Sequence, residues 1–434
     1  MDKMADVLGR AGAWCGQNKY LSAIKNAFQN FMPLTIAGAI GVLWCNVLVN
    51  DQTGLGLFFK PIMALDFLNP AFQAVNFCTI SCITVGITLG IAQEIGVWNM
   101  GAERAGYIPG LVGLAAWLSV TNTSHMVDGA KEAFTGIAGN ELGATGLFTG
   151  MIIGVLSVEL FCFFEKQDAL KIKMPEQVPP GVARAFEVLV PATITLIITA
   201  CIGSACYNLT GLYLNDVIKN GVQGPLGAVG ATVPGVMIIY LVIMLFWLVG
   251  IHGNNMLSAV KEALFTPLAL ENVEAFNKHQ TPKNIINMYA LQMWGEFGGS
   301  GVTIGLVIAI MIFGKREDNK AIATLSLVPG LFNINETVTF GIPMVLNPIL
   351  GIPFVVAPLV TIIIGYVLTV IGFCPVACLT VPWTTPPIVF GFLATGANVM
   401  GAVTQAILIV VSTVIYTPFL IAYEKYQNKQ AAEA

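Results

Sequence analysis

Charge is what this chain has least of: 10% of its 434 residues are Asp, Glu, Lys or Arg, against 56% hydrophobic. Soluble domains carry about 25% charged residues. The composition therefore excludes an ordinary globular domain and, with a mean hydropathy of +0.78, reads as a polytopic membrane protein. The 20 basic residues sit in a few small groups within a net charge of −4, which leaves no basic face for nucleic acid. No G-x4-G-K-[ST] stretch occurs, so a Walker-type ATPase is excluded. An arginine-rich voltage sensor and a TVGYG-like filter are missing too. The nine cysteines stand apart from any His or carboxylate cluster. Cys78/Cys82 and Cys374/Cys378 lack the second pair a zinc site needs, so no metal and no cofactor is expected. The opening MDKMADVLGR has neither the apolar core nor the cleavage site of a signal peptide. No loop is long enough for a phosphoryl-carrying soluble domain, so no catalytic residue is expected either.

What is present is apolar and interrupted. A membrane helix needs about 20 apolar residues, and the runs 31–49, 71–93, 106–120, 144–164, 188–209 and 229–251 meet that need or approach it. Residues 121–143 are a polar excursion, and 210–228 read as a surface-lying helix and a turn. Lys3, Arg10, Lys19 and Lys25 precede the first span, and Lys166, Lys171, Lys173 and Arg184 follow the fourth. The loops assigned to the outer side hold one basic residue each, Lys60, Lys131 and Lys219. This asymmetry places the N-terminus in the cytoplasm.

Beyond residue 251 the pattern fails. Lys261, Lys278 and Lys283 fall on the same side as Lys315, Arg316 and Lys320, with one short run, 301–313, between the groups. Parity then needs 285–294 as the other limb of a re-entrant hairpin. Strong spans at 351–373 and 401–422 leave 330–348 and 378–395 as half-spanning pieces. That makes eight full spans plus broken segments, in an all-α polytopic protein with cytoplasmic termini. The chain divides into a helical scaffold, 1–209, an amphipathic connector, 210–228, and a second half, 229–434, which contains the interruptions. Broken helices meeting near mid-membrane are how many transporters build substrate sites.

The stretch GLFNINETVTFGIPMVLNP, 330–348, sets Glu336 among Asn333, Asn335 and Asn347, with glycines and prolines on both sides. An unpaired glutamate in hydrocarbon costs roughly 2.5–3.5 kcal/mol, so it normally faces a cavity, a partner or a substrate. Broken backbone at that depth lines a cavity or is buried in protein. The alternative is a short loop with Glu336 solvated. In FWLVGIHGNNML, His252 stands between two glycines and before Asn254 and Asn255. It can donate, accept or titrate near neutral pH. Trp383 lies among Pro382, Pro386 and Pro387, on non-helical backbone, where an aromatic face can stack on a sugar ring. Trp247 and Trp294 are further candidates, and each is equally readable as an interface anchor. Gln292 and Glu296, beside GGSG, are of second rank; His125 and His279 lie in polar loops. A membrane glutamate and histidine fit either a group translocator or a proton-coupled secondary transporter.

Several of these stretches resemble one family. GIHG (250–253), FTPLALEN (265–272), GGSG (298–301), INETVTFGIPMVLNP (334–348), MPLTIAGA (32–39) and VPPGVARAF (178–186) are similar to the membrane-embedded IIC permease of the bacterial phosphotransferase system, in its lactose/cellobiose/diacetylchitobiose branch. One departure is Thr337, where many members carry proline. The resemblance implies about ten transmembrane helices plus re-entrant hairpins, in the cytoplasmic membrane of a bacterium. It further implies a homodimer made through residues 1–209 and a site for a β-linked disaccharide in 229–434. The sugar would be phosphorylated on its 6-hydroxyl by a separate IIB protein, charged through IIA, HPr and enzyme I. Glu336 and His252 would bond hydroxyls near that position and Trp383 would stack on a ring, with Asn335, Asn254, Trp247, Trp294 and Gln292 around them.

Overall fold

The computed structural model describes residues 10, 14, 17–51, 55–125, 134–175, 177–342 and 344–433. Lys3 and Lys131, which entered the charge pattern, lie outside them. Among the described residues the only strand pairing is Ser124–His125 with Phe134–Thr135; the regular structure is otherwise helical. Among the described residues, five helices are long and apolar enough to cross a membrane singly, and three apolar ones are shorter. The residues gather into two compact units, 17–38 with 75–228 and 39–74 with 229–434.

The helix α1, Lys19–Leu43, starts in the first unit. With it stand α2 (Ile83–Met100), α3 (Ile108–Val120), α4 (Ala144–Glu165) and α5 (Pro180–Thr210). Without a hydrophobic drive between helices in lipid, small residues that let backbones approach decide the packing. Gly96 lies on Pro109, Gly113 on Ala92 and Gly150 on Thr88, where a β-carbon would sit 2.2–2.3 Å from its neighbour. The expected span 71–93 is not one helix. It breaks at Cys82, after a π turn over Phe77–Ser81 in which the Thr79 hydroxyl bonds back to the Val75 carbonyl at 2.5 Å. Such back-bonding loosens the helical ladder. At the end of α4 an ion cluster closes the unit. Arg104 and Arg184 both grip the buried Glu165, at 2.8 and 2.9 Å, and both reach Glu187.

In the second unit the short apolar α6, Val233–Leu248, leads into α7, Gly253–Asn277, a 25-residue helix. Hydropathy does not reveal α7, because Lys261, Glu262, Glu271 and Glu274 lie on it. Lys261 corrects the charge pattern as well: it is 6% exposed and paired with Glu296, so it orients nothing at the membrane surface. The limbs expected at 285–294 and 301–313 are α8, Met288–Gly295, and α9, Ile304–Phe313. Asn287 starts α8 by accepting the amides of Tyr289 and Ala290 at 3.0 and 3.1 Å, the usual way to satisfy free N–H groups at a helix start.

The turn between α8 and α9 needs its glycines. Gly301 has φ +80°, and a β-carbon there would lie 2.3 Å from the Phe354 ring. Further on come α10 (Glu317–Leu331), α11 (Glu336–Gly341), α12 (Gly351–Val370), α13 (Val389–Ala394) and α14 (Val399–Glu433). From α14, Ser412 bonds the Val302 carbonyl and the Tyr416 hydroxyl bonds that of Gly301, both at 2.8 Å. The glycine turn is thus held from the long helix as well as by its own backbone.

Candidate functional site

Three junctions of the second unit converge on one cavity of about 210 Å³ that opens to the surface. The first is the end of α10. The amide of Asn333 bonds the Gly330 carbonyl and that of Ile334 the Pro329 carbonyl, both at 3.0 Å, with Asn333 at φ +63°. This is a Schellman stop, and asparagine is the residue that replaces glycine there most readily. The chain then turns into α11, whose first residue is Glu336.

The side chain of Asn333 is fully committed. Its Oδ1 accepts from the Gly298 amide at 2.6 Å, while Nδ2 donates to the carbonyls of Trp383 at 2.5 Å and Thr385 at 3.1 Å. One amide therefore ties the glycine turn, the Glu336 turn and the tryptophan loop together. Asn335 is likewise committed: it is 4% exposed and its Nδ2 bonds the Ser300 carbonyl and the Thr339 hydroxyl.

The second junction joins α6 to α7. His252 caps α7, its Nδ1 accepting the Asn255 amide at 3.2 Å. An accepting Nδ1 carries no proton, so the neutral ring bears its hydrogen on Nε2. That nitrogen faces Glu336 Oε1 at 3.8 Å, too far for a hydrogen bond. Trp247 packs on the imidazole with ring centres 4.4 Å apart and holds its plane.

The third junction is the loop before α13. Trp383 is 43% exposed. Ile388, β-branched and at φ +74°, is kept there by Gln405, whose Oε1 accepts the amides of Ile388 and Gly391 at 2.8 and 2.7 Å. The same Gln405 donates to the Met293 carbonyl at 3.2 Å, which joins this loop to α8.

Of the residues singled out in the sequence, Glu336, His252, Trp383, Asn335, Asn254 and Gln292 line the cavity. Trp247 and Trp294 do not. Both are 1% exposed: Trp247 backs His252, and Trp294 lies against Gly365, where a β-carbon would meet its ring at 2.4 Å. Gln405, Phe390, Phe297 and Ser300 join the lining without having been singled out. For Gln405 a signal existed, since it is a lone amide in the apolar run 401–422. Among the described lining residues are two carboxylates and one imidazole, and no lysine or arginine. Such a wall suits a neutral ligand rich in hydroxyls and disfavours an anion.

The family model described as "Phosphotransferase system, EIIC" matches residues 25–358. The oligo-beta-mannoside-specific EIIC component of Bacillus subtilis is 32% identical, over 98% of this chain and 94% of the relative. The cellobiose-specific EIIC component of Lactococcus lactis is 29% identical over 98% of each. Among solved structures, the transporter ChbC, the IIC component of an N,N′-diacetylchitobiose-specific phosphotransferase system, superimposes with a TM-score of 0.88. It is 29% identical, and the match covers 97% of both chains. With a family match across most of its length and relatives covered nearly end to end, the chain belongs to the EIIC family of the phosphotransferase system, as a multi-pass membrane sugar permease.

Proposed function

We propose that the cavity binds a β-linked disaccharide of the cellobiose, diacetylchitobiose or lactose type and presents its 6-hydroxyl to a phosphorylated IIB protein. The observation that carries this reading is the pair His252 and Glu336, 3.8 Å apart. One partner offers a fixed N–H and the other a carboxylate, and the gap leaves both short of bonding each other. A hydroxyl between them can accept from His252 and donate to Glu336 at once, and Trp383 offers a ring face on the same cavity. The names of the relatives agree with a β-linked disaccharide.

The reading extends to the setting of the permease. Residues 229–434 carry the sugar site and 1–209 the scaffold, joined by 210–228. The scaffold forms a homodimer in the bacterial cytoplasmic membrane. Both termini face the cytoplasm, where IIB is recharged through IIA, HPr and enzyme I.

Uptake measured in vesicles tests the proposal. Accumulation of the sugar phosphate should require phosphoenolpyruvate and the soluble components, and should persist with a protonophore. Uptake that collapses with the protonophore and ignores phosphoenolpyruvate would assign the chain to ion-coupled transport instead.

Stacking makes a separate prediction. Aromatic contacts contribute about 0.5–1.5 kcal/mol beyond the area they bury. Trp383→Ala should therefore weaken disaccharide binding roughly 2- to 12-fold, with Trp383→Phe milder. Equal titration curves for wild type and Trp383→Ala would reduce Trp383 to a wall residue.

A further inference from the structure

The cavity contains a second carboxylate whose surroundings differ from those of Glu336. Glu296 follows the last residue of α8. Its Oε1 takes both the Tyr240 hydroxyl, at 2.7 Å, and the Lys261 ammonium. Lys261 is 6% exposed and Tyr240 1%, and neither lines the cavity. The ammonium also sits over the Tyr240 ring, 5.5 Å from its centre. A lysine this buried needs an anion, and Glu296 is the one it touches.

Two donors on one oxygen fix the carboxylate plane. The other oxygen, Oε2, has no hydrogen-bond partner among the described residues, although Glu296 lines the cavity. On the same wall, Gln292 Oε1 and Asn254 Oδ1 are buried without hydrogen bonds. Buried polar atoms in native proteins are rarely left so, and each such atom asks for a missing partner. With no lysine or arginine in the lining, the partner that fits is a set of ligand hydroxyls.

We infer that Glu296 is a second sugar-recognising carboxylate, which takes through Oε2 a hydroxyl other than the one held by Glu336, with Gln292 and Asn254 beside it. Lys261 and Tyr240 are its positioning residues: they do not touch the sugar but set which oxygen faces it. This rests on the reading of the cavity as a disaccharide site. It adds a specificity determinant at the glycine turn, remote in sequence from the Glu336 turn.

Calorimetric titration of detergent-purified protein separates the two claims. Cellobiose, lactose and diacetylchitobiose are first titrated into wild type. The monodeoxy analogues of the sugar that binds are then titrated into wild type, Glu336→Gln, Glu296→Gln and Glu296→Gln/Lys261→Met, with thermal unfolding as the check on folding. The double variant is included because removing both members of a buried pair leaves no unpaired charge, whereas removing one does.

In wild type, loss of a hydroxyl bonded to a carboxylate should weaken binding about tenfold or more. One such position should become insensitive in Glu336→Gln, and a different one in Glu296→Gln and in the double variant. A bracing role alone would lower the unfolding temperature and leave the pattern across the analogues unchanged. If the double variant folds and discriminates among the analogues as wild type does, the inference is overturned. Wild type that binds none of the three disaccharides would overturn the sugar reading itself, and the assignment of Glu296 with it.

Discussion

Glu336→Gln is expected to lower disaccharide affinity at least tenfold while leaving the fold intact. The carboxylate is 47% exposed as a side chain and faces a neutral histidine 3.8 Å away that it does not bond, so its loss breaks no internal pair. Hydrogen bonds to a charged acceptor are worth about 1.5–3 kcal/mol, and 1.4 kcal/mol is one decade of affinity. Glutamine keeps the shape and one acceptor oxygen, but it loses the charge and its NH2 cannot accept a hydroxyl hydrogen. Glu336→Leu should abolish uptake outright, with no loss of thermal stability, because an apolar side chain is the cheaper one within a membrane. Ion coupling through Glu336 predicts the opposite split: normal sugar binding by Glu336→Gln in detergent, with accumulation lost. Calorimetry on the purified variant decides, and an unchanged dissociation constant would remove Glu336 from the sugar site.

How much of this was legible beforehand depends on whether a residue's role is local or tertiary. Apolar runs mark α4, α5, α12 and α14 plainly, since their composition is set by lipid rather than by partners. The helix α7 escapes that rule because its charges are satisfied inside the protein: Lys261 reads as a surface cation until Tyr240 and Glu296 are seen around it. Glu336 and His252 stand out because a polar residue at a break in an apolar segment has few inexpensive explanations. Trp247 and Trp294 could not be sorted from Trp383 by sequence, because a tryptophan buried in a core and one lining a cavity carry the same local signal. The prolines around Trp383 gave its backbone but not its exposure. Gln405 shows the reverse case. Its isolation was visible, while its task of stapling the loop before α13 to the helix α8 exists only in three dimensions.

Asn333 concentrates the tertiary information of the cavity in one side chain. Its orientation is fixed by its partners, since an amide hydrogen meets Oδ1 and two carbonyls meet Nδ2. In Asn333→Asp the Gly298 amide still finds an acceptor, but the carbonyls of Trp383 and Thr385 face a carboxylate in place of two donors. Two lost bonds amount to about 1–3 kcal/mol, and like-signed oxygens at those distances push the loop outward. Asn333→Leu loses all three bonds and adds the left-handed backbone penalty, about 1–2 kcal/mol for a residue other than glycine or asparagine. Asn333→Gly loses the bonds alone. Thermal stability should therefore fall in the order wild type, Gly, Leu. Disaccharide affinity should fall by more than the roughly 2- to 12-fold expected for Trp383→Ala, because Asn333 positions Trp383 and the Glu336 turn together. The comparison needs the four proteins in one detergent, with unfolding temperature and titration read side by side. Asn333→Asp protein that binds sugar as wild type does would show that the tryptophan loop is held by its own prolines, and that the shared amide is incidental.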